Sequence, residues 1–321
     1  MTEISRRAAL TLTAAAAVAG CTHKSGSSAA PAAALATPKF EVLAEGLARP
    51  EAPVVMPDGS IIVAEILGGC LTRVWGGGRK EVVAKPGGAP CGAKLGPDGA
   101  LYVCNSGGGH KNPQSVGRID RVDPASGRVE RLYDKVGEYP LQMPNDLVFG
   151  ADGGLWFTDL GLREERWIGK GGIYWCRPDG SAIREAWFGG MGCNGIGLSP
   201  DGRTLYFAAS ISGRLYRFPI AGPGMLVSEK GPQFVAAAAG DSTFDSLAVT
   251  ASGAVCIGTG NPGGITTVTP AGEARFLPLP DFSVSNIAFG GPDMRDAFVT
   301  MSRTGRLAKL RWEEPGLKLN F

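Results

Sequence analysis

A hairpin signature returns six times along this chain and leaves few folds open to it. Each unit is a short apolar strand, a tight turn and a second strand. The turns are Pro57-Asp58-Gly59, Pro97-Asp98-Gly99, Ala151-Asp152-Gly153, Pro200-Asp201-Gly202 and Ala251-Ser252-Gly253, with a degenerate sixth at Gly291-Pro292-Asp293. Asp and Ser bond back to the turn backbone, and Gly supplies the left-handed corner. The second strands, such as Ile61 to Ala64, Leu101 to Cys104 and Leu155 to Thr158, are β-branched and aromatic, which suits burial on both faces. A glycine opens a third strand in every unit: Gly69, Gly117, Gly172, Gly213, Gly264 and Gly305. Units of roughly 40 to 55 residues with four antiparallel strands are propeller blades. The expectation is therefore an all-β fold, a six-bladed β-propeller formed by residues 39–321 as one domain. A β-sandwich would not repeat one hairpin six times. The strand near Phe40 to Ala44 is expected to complete the last blade and close the ring, which removes exposed sheet edges.

The residues before that domain read as targeting. Ser5-Arg6-Arg7 precedes a mildly apolar run from Ala8 to Gly20, too short to span a bilayer as a helix. It has the form of a twin-arginine signal, and Val18-Ala19-Gly20-Cys21 has the form of a lipobox. Residues 1–20 are thus a signal peptide, Cys21 is the lipidation site, and residues 21–38, rich in Ala, Ser and Pro, are a flexible tether. Periplasmic export with a membrane anchor follows. Cleavage near Ala34-Leu35-Ala36 would instead release a soluble exported protein. Lys+Arg 32 against Asp+Glu 30, with no basic block in the body, argues against nucleic acid as a partner and leaves the lipid anchor as the only membrane contact.

In a propeller the first strand of each blade lines the central channel, and its opening residue faces the axis. Those residues are Glu51, Cys91, Asn145, Asn194, Asp245 and the pair Ser285-Asn286. Charged and amide groups at the start of apolar strands are costly unless something satisfies them. Glu51, Asn145, Asn194 and Asp245 together offer four hard oxygen donors and two negative charges. That set suits one divalent metal ion, Ca²⁺ first, with Mg²⁺, Mn²⁺, Zn²⁺ or Fe²⁺ as alternatives.

From Phe40 to Trp312 the chain resembles the senescence marker protein/gluconolactonase family, which includes regucalcin-like lactonases. The resemblance rests on Arg49-Pro50-Glu51-Ala52-Pro53, Pro144-Asn145-Asp146-Leu147-Val148-Phe149, Asn194-Gly195-Ile196-Gly197-Leu198-Ser199-Pro200-Asp201-Gly202, Asp245-Ser246-Leu247-Ala248-Val249 and Asn286-Ile287-Ala288-Phe289-Gly290-Gly291. It implies Glu51, Asn194 and Asp245 as metal ligands and Asp245 also as the acid/base of hydrolysis. Asn145 is implied as ligand or substrate contact, with Asp146 beside it on the substrate side. The implied activity is metal-dependent hydrolysis of a small ester, most readily a lactone, by water activated at the channel mouth. Cys91 departs from the family's Asn, Ser246 from its Gly, and Met143-Pro144 stand where sugar-lactone members can carry Arg.

Other reactive residues are fewer. The two histidines, His23 in the tether and His110 beside a glycine run, exclude a His-rich zinc site and argue against a Ser–His hydrolase, although His110 could reach the channel mouth. Cys104, Cys176 and Cys256 fall within strands as small core residues, and export would permit a Cys91–Cys104 disulfide. The segment Leu160 to Lys170 is long and charged. It reads either as a solvated loop or as a rim element in which Arg166 holds an acyl oxygen or carboxylate. The competing function is a non-enzymatic periplasmic propeller, stabilised by metal, that binds a sugar or a protein partner. Fold alone does not choose between the two.

Overall fold

The computed structural model describes residues 37–108 and 116–320. The residues read as signal peptide, Cys21, nearly all of those read as tether, and His110 lie outside the described residues. Within them the chain is all strand and turn, arranged as six antiparallel sheets in sequence order, with one small extra hairpin at 135–140.

Blade 1 runs Pro50–Val55, Ile61–Glu65, Cys70–Gly76 and Arg79–Ala84 from axis to rim. Blade 2 (Pro90–Leu95 to Val129–Tyr133), blade 3 (Pro144–Phe149 to Ile183–Gly190) and blade 5 (Thr243–Val249 to Ala274–Pro278) repeat that order. Blade 4 starts at Cys193–Leu198 and carries a two-residue strand, Met225–Leu226, beside its outer strand Gln233–Ala237. In blade 6 the inner strands are Val284–Gly290, Asp296–Met301 and Arg306–Arg311, and the outer one is Phe40–Ala44. Phe40 pairs with Leu310 and Val42 with Ala308, so the first strand of the domain closes the ring as expected. Blades pack face to face through side chains such as Leu101, Phe157, Phe207 and Ile257, all essentially inaccessible.

The turns form for the reason their sequence gives. In five of them the Asp side chain accepts the backbone N–H two residues on: Asp58 from Ser60, Asp98 from Ala100, Asp152 from Gly154, Asp201 from Arg203 and Asp293 from Arg295. In the degenerate sixth turn Met294 takes the left-handed corner (φ 58°) that glycine fills in the others.

Candidate functional site at the channel mouth

Every innermost strand carries a register shift just after its opening residues. The shifts lie between Glu51 and Val54, Pro90 and Ala93, Pro144 and Leu147, Cys193 and Ile196, Phe244 and Leu247, and Val284 and Asn286. A bulge re-aims the side chains it contains. Here it falls on the residues that face the axis, at the same height in all six blades. Glu51 is also bracketed by two non-glycine residues with positive φ, Arg49 at 60° and Ala52 at 43°. Such backbone is costly and concentrates where geometry is needed for function. Glycines let neighbouring strands close on the ring: a Cβ on Gly195 would lie 2.7 Å from the Asp245 carbonyl, and one on Gly92 would lie 2.4 Å from that of Asn145.

Glu51 is buried. Its Oε2 accepts the Asn286 amide at 2.8 Å and the Ala52 N–H at 2.6 Å. Asp245 is half-buried. Burial, then the facing Asp245 charge, pushes the Glu51 carboxyl well above the ordinary range. Burial likewise raises Asp245, offset by the Asn194 amide and by Arg49 at the rim. Asn194 donates through Nδ2 to Ser210 Oγ at 2.9 Å, and its Oδ1 accepts from Ser246 Oγ at 3.3 Å. The departure at Ser246 thus has a job: it orients the Asn194 carboxamide. The Asn145 side chain, 9% exposed, bonds no other described residue.

Asp146 occupies a different place from the ring. It is fully buried, accepts the N–H groups of Leu147 at 2.8 Å and Ile196 at 3.4 Å, and faces Lys94 Nζ at 4.0 Å. Burial raises its carboxyl and Lys94 opposes the rise. No part of it reaches solvent, so its position is that of a brace between blades 2, 3 and 4. Lys94 was not singled out by the sequence, since one lysine on an inner strand carries no spacing signal.

Arg166 sits at the tip of a small hairpin bridged from Arg163 to Ile168, exposed and without an ion pair among the described residues. That hairpin is tied to the approach to the ring through Leu162 N–H to Gln142 Oε1 at 2.7 Å. A further set of groups escaped the sequence reading. Glu65, Asn105 and Asp159 close the second strands of blades 1, 2 and 3 and accept backbone N–H groups from the loops entering the ring, at Ala48, at Ala89, and at Gln142 and Met143. A polar residue ending each second strand was the available signal. The Cys91–Cys104 disulfide does not form. Both thiols are free, because the bulge turns Cys91 Sγ to the Ala89 carbonyl at 3.3 Å and to Ser106 Oγ at 3.6 Å.

Among the described residues no three His, Cys, Asp or Glu side chains gather as a metal cluster. The donor set of the ring is mixed, two carboxylates and two carboxamides. It fits a hard cation on two counts: Glu51 Oε1 and the Asn145 amide have no hydrogen-bond partner among the described side chains, and the Asp245 charge raises the Glu51 carboxyl, so an opposite charge between the two acids would be favoured. A cavity of about 700 Å³ lies at the other end of the channel, lined by Val54, Leu95, Phe149, Leu198, Phe289 and the tail Leu317 to Asn320. It is largely apolar and lacks converging acids.

Fold and ring together define an all-β propeller with an oxygen-rich site on its axis. Residues 49–303 match the SMP-30/gluconolactonase/LRE-like region, and the chain belongs to that family. It is 29% identical over 199 residues to lactonase drp35 of Staphylococcus saprophyticus, covering 61% of this chain and 58% of that protein. It is 27% identical over 193 residues to the gluconolactonase of Zymomonas mobilis, covering 53% and 51%. The chain therefore spans just over half the length of these curated relatives. Its fold is shared with a gluconolactonase of Xanthomonas campestris (TM-score 0.70, 22% identity, 84% and 88% covered). It is shared also with a calcium-binding regucalcin of Agrobacterium tumefaciens (TM-score 0.72, 22% identity, 89% and 100% covered).

Proposed function

We propose that this chain hydrolyses a lactone at the axial ring, with one divalent ion, Ca²⁺ in preference, held by Glu51, Asn145, Asn194 and Asp245. The observation that carries the reading is the approach of two carboxylates from different blades, Glu51 and Asp245, near enough that the Asp245 charge raises the Glu51 carboxyl. Asp146 is paired with Lys94 behind the ring, which leaves Glu51 and Asp245 as the ring's own acids, with exposed Arg49 acting on Asp245. Two ring carboxylates among neutral amide donors suit a divalent cation. Relatives named as lactonase and gluconolactonase support the reaction class, and a neighbour named as calcium-binding supports the ion.

The chemistry such an ion supplies when bound is Lewis-acid polarisation of an acyl oxygen. The chain's own groups do the rest. Asp245 takes a proton from water as the water oxygen bonds to the acyl carbon. The ring C–O bond then breaks, the leaving oxygen takes up that proton, and a hydroxy acid results. Asn194, held by Ser210 and Ser246, presents a fixed neutral oxygen, while Glu51 is anchored by Asn286. Asp146 and Lys94 brace the strand that carries Asn145. Arg166 at its hairpin tip is placed to meet an acyl oxygen or the carboxylate of the product. The twin-arginine form at Ser5-Arg6-Arg7 and the lipobox form at Val18 to Cys21 support a periplasmic protein tethered through Cys21.

A lactone panel with and without chelator tests the proposal. Hydrolysis abolished by chelation and restored by Ca²⁺ or Mn²⁺ supports it. A protein inert towards every lactone with metal bound speaks for the binding-protein alternative.

A further inference from the structure

The two faces of the propeller differ in what they show to water. The six hairpin turns on the far face carry no exposed large apolar side chain, and the tail beside them exposes one, Leu319. On the loops of the ring-bearing face, Leu67 (65%), Trp167 (52%), Met191 (54%), Ile211 (39%) and Phe282 (57%) are all exposed. Each is tied closely to a ring residue. Met191 lies three residues before Asn194, and Phe282 four before Asn286. Ile211 follows Ser210, whose hydroxyl holds Asn194, and it packs beside Gly192, which Met191 precedes. The Leu67 N–H bonds the carbonyl of Ala48, three residues before Glu51. Trp167 sits on the hairpin whose Leu162 is bonded to Gln142, three residues before Asn145. Isolated exposed apolar residues need no explanation, but several grouped round a polar site mark a surface for apolar ligand.

We infer that the mouth selects lactones bearing an apolar substituent, an alkyl chain or aromatic ring, over polyhydroxylated sugar lactones. The inference rests on the hydrolase reading above. A sugar lactone offers hydroxyls all round, and each one desolvated against Leu67, Met191, Ile211 or Phe282 would lose its hydrogen bonds to water without replacement. An alkyl chain gains from the same contact, by up to about fourfold in affinity per methylene removed from water. The ring would hold the ester and the rim the substituent.

The test compares kcat/KM for γ-butyrolactone, γ-octalactone, γ-decalactone and glucono-δ-lactone in wild type and in a Met191→Ser/Ile211→Ser/Phe282→Ser variant. All three positions are exposed, so the variant should keep the wild-type melting temperature. The expected result is a kcat/KM that climbs with chain length in wild type, at least tenfold from butyrolactone to decalactone. The variant should lose that slope and keep its butyrolactone rate. A wild type that prefers glucono-δ-lactone, or that turns over all lactones without a chain-length slope, overturns the inference and leaves the hydrolase reading standing. So does a slope that survives in the variant while its adsorption to phospholipid vesicles falls, since the rim would then serve a lipid surface. Titration calorimetry of γ-decalactone into Asp245→Asn protein separates the two readings. Binding that the three serines weaken tenfold supports the apolar rim even if no lactone is hydrolysed, and absence of binding overturns it.

Discussion

Asn286 of blade 6 donates its side-chain amide to the Glu51 carboxylate of blade 1 at 2.8 Å, across 235 residues of chain. This bond crosses the seam where the propeller closes, next to the place where Ser285 and Ser302 hydroxyls bond the Pro50 carbonyl. Glu51 is therefore held in the ring by contacts at the same seam that closes the fold.

Replacing Asn286 by Ala removes a hydrogen bond to a carboxylate and leaves Glu51 with the Ala52 N–H alone. A loss of about 1.5–3 kcal/mol is expected in the calcium-loaded protein, where Glu51 is charged, and about 0.5–1.5 kcal/mol in chelator, where it is protonated. Urea unfolding should report it, and a calcium titration should show weaker binding, because Glu51 would no longer be oriented. Unchanged stability and unchanged affinity would remove Asn286 from the site.

Much of this was legible because the blades repeat. One turn type recurring six times fixes the fold class, and the residue at the start of each inner strand falls on the axis whatever its type. Cys91, Asn145 and Asp245 could be placed together for that reason alone. What the repeat could not convey was the direction of individual side chains. The bulges aim Glu51 at Asn286 and turn Cys91 away from Cys104, and no local pattern in the sequence marks them. Lys94 and Asp146 meet only because blades 2 and 3 are neighbours in space. The exposed apolar rim was invisible for the converse reason: Leu67, Met191 and Phe282 look like strand or core residues until the loops are seen.

Protonation and metal should oppose each other. Glu51 and Asp245 both have raised carboxyl pKa values, so the chelated folded protein holds protons that the unfolded chain has released. Folded then binds more protons than unfolded from the ordinary carboxylate range upward, and the stability of the chelated protein falls as pH rises through that window. Calcium reverses the balance by favouring the charged forms. The stabilisation it gives, about 2.7 kcal/mol at a hundredfold excess over Kd, should be larger in melting experiments at pH 8 than at pH 5. A calcium-induced shift that is equal at both values, or greater at pH 5, would contradict this.

The lipobox reading concerns residues 18–21, outside the described part. Cys21→Ser should release the protein from the membrane fraction or leave it unprocessed. Equal membrane attachment with and without the thiol would exclude lipidation at this residue.

Asp245 carries the central claim, since it is assigned both to the cation and to the proton. Asp245→Asn is nearly isosteric, keeps one oxygen donor and removes a carboxylate that is costly to charge in the chelated state. The variant should fold, with a melting temperature in chelator at or above that of wild type. The decisive measurement is its kcat on a lactone that wild type hydrolyses, taken at saturating calcium. The account predicts a fall of roughly 10²–10⁴-fold that added metal does not restore, as for loss of a general acid–base group. A kcat within a fewfold of wild type, with calcium bound, would contradict it.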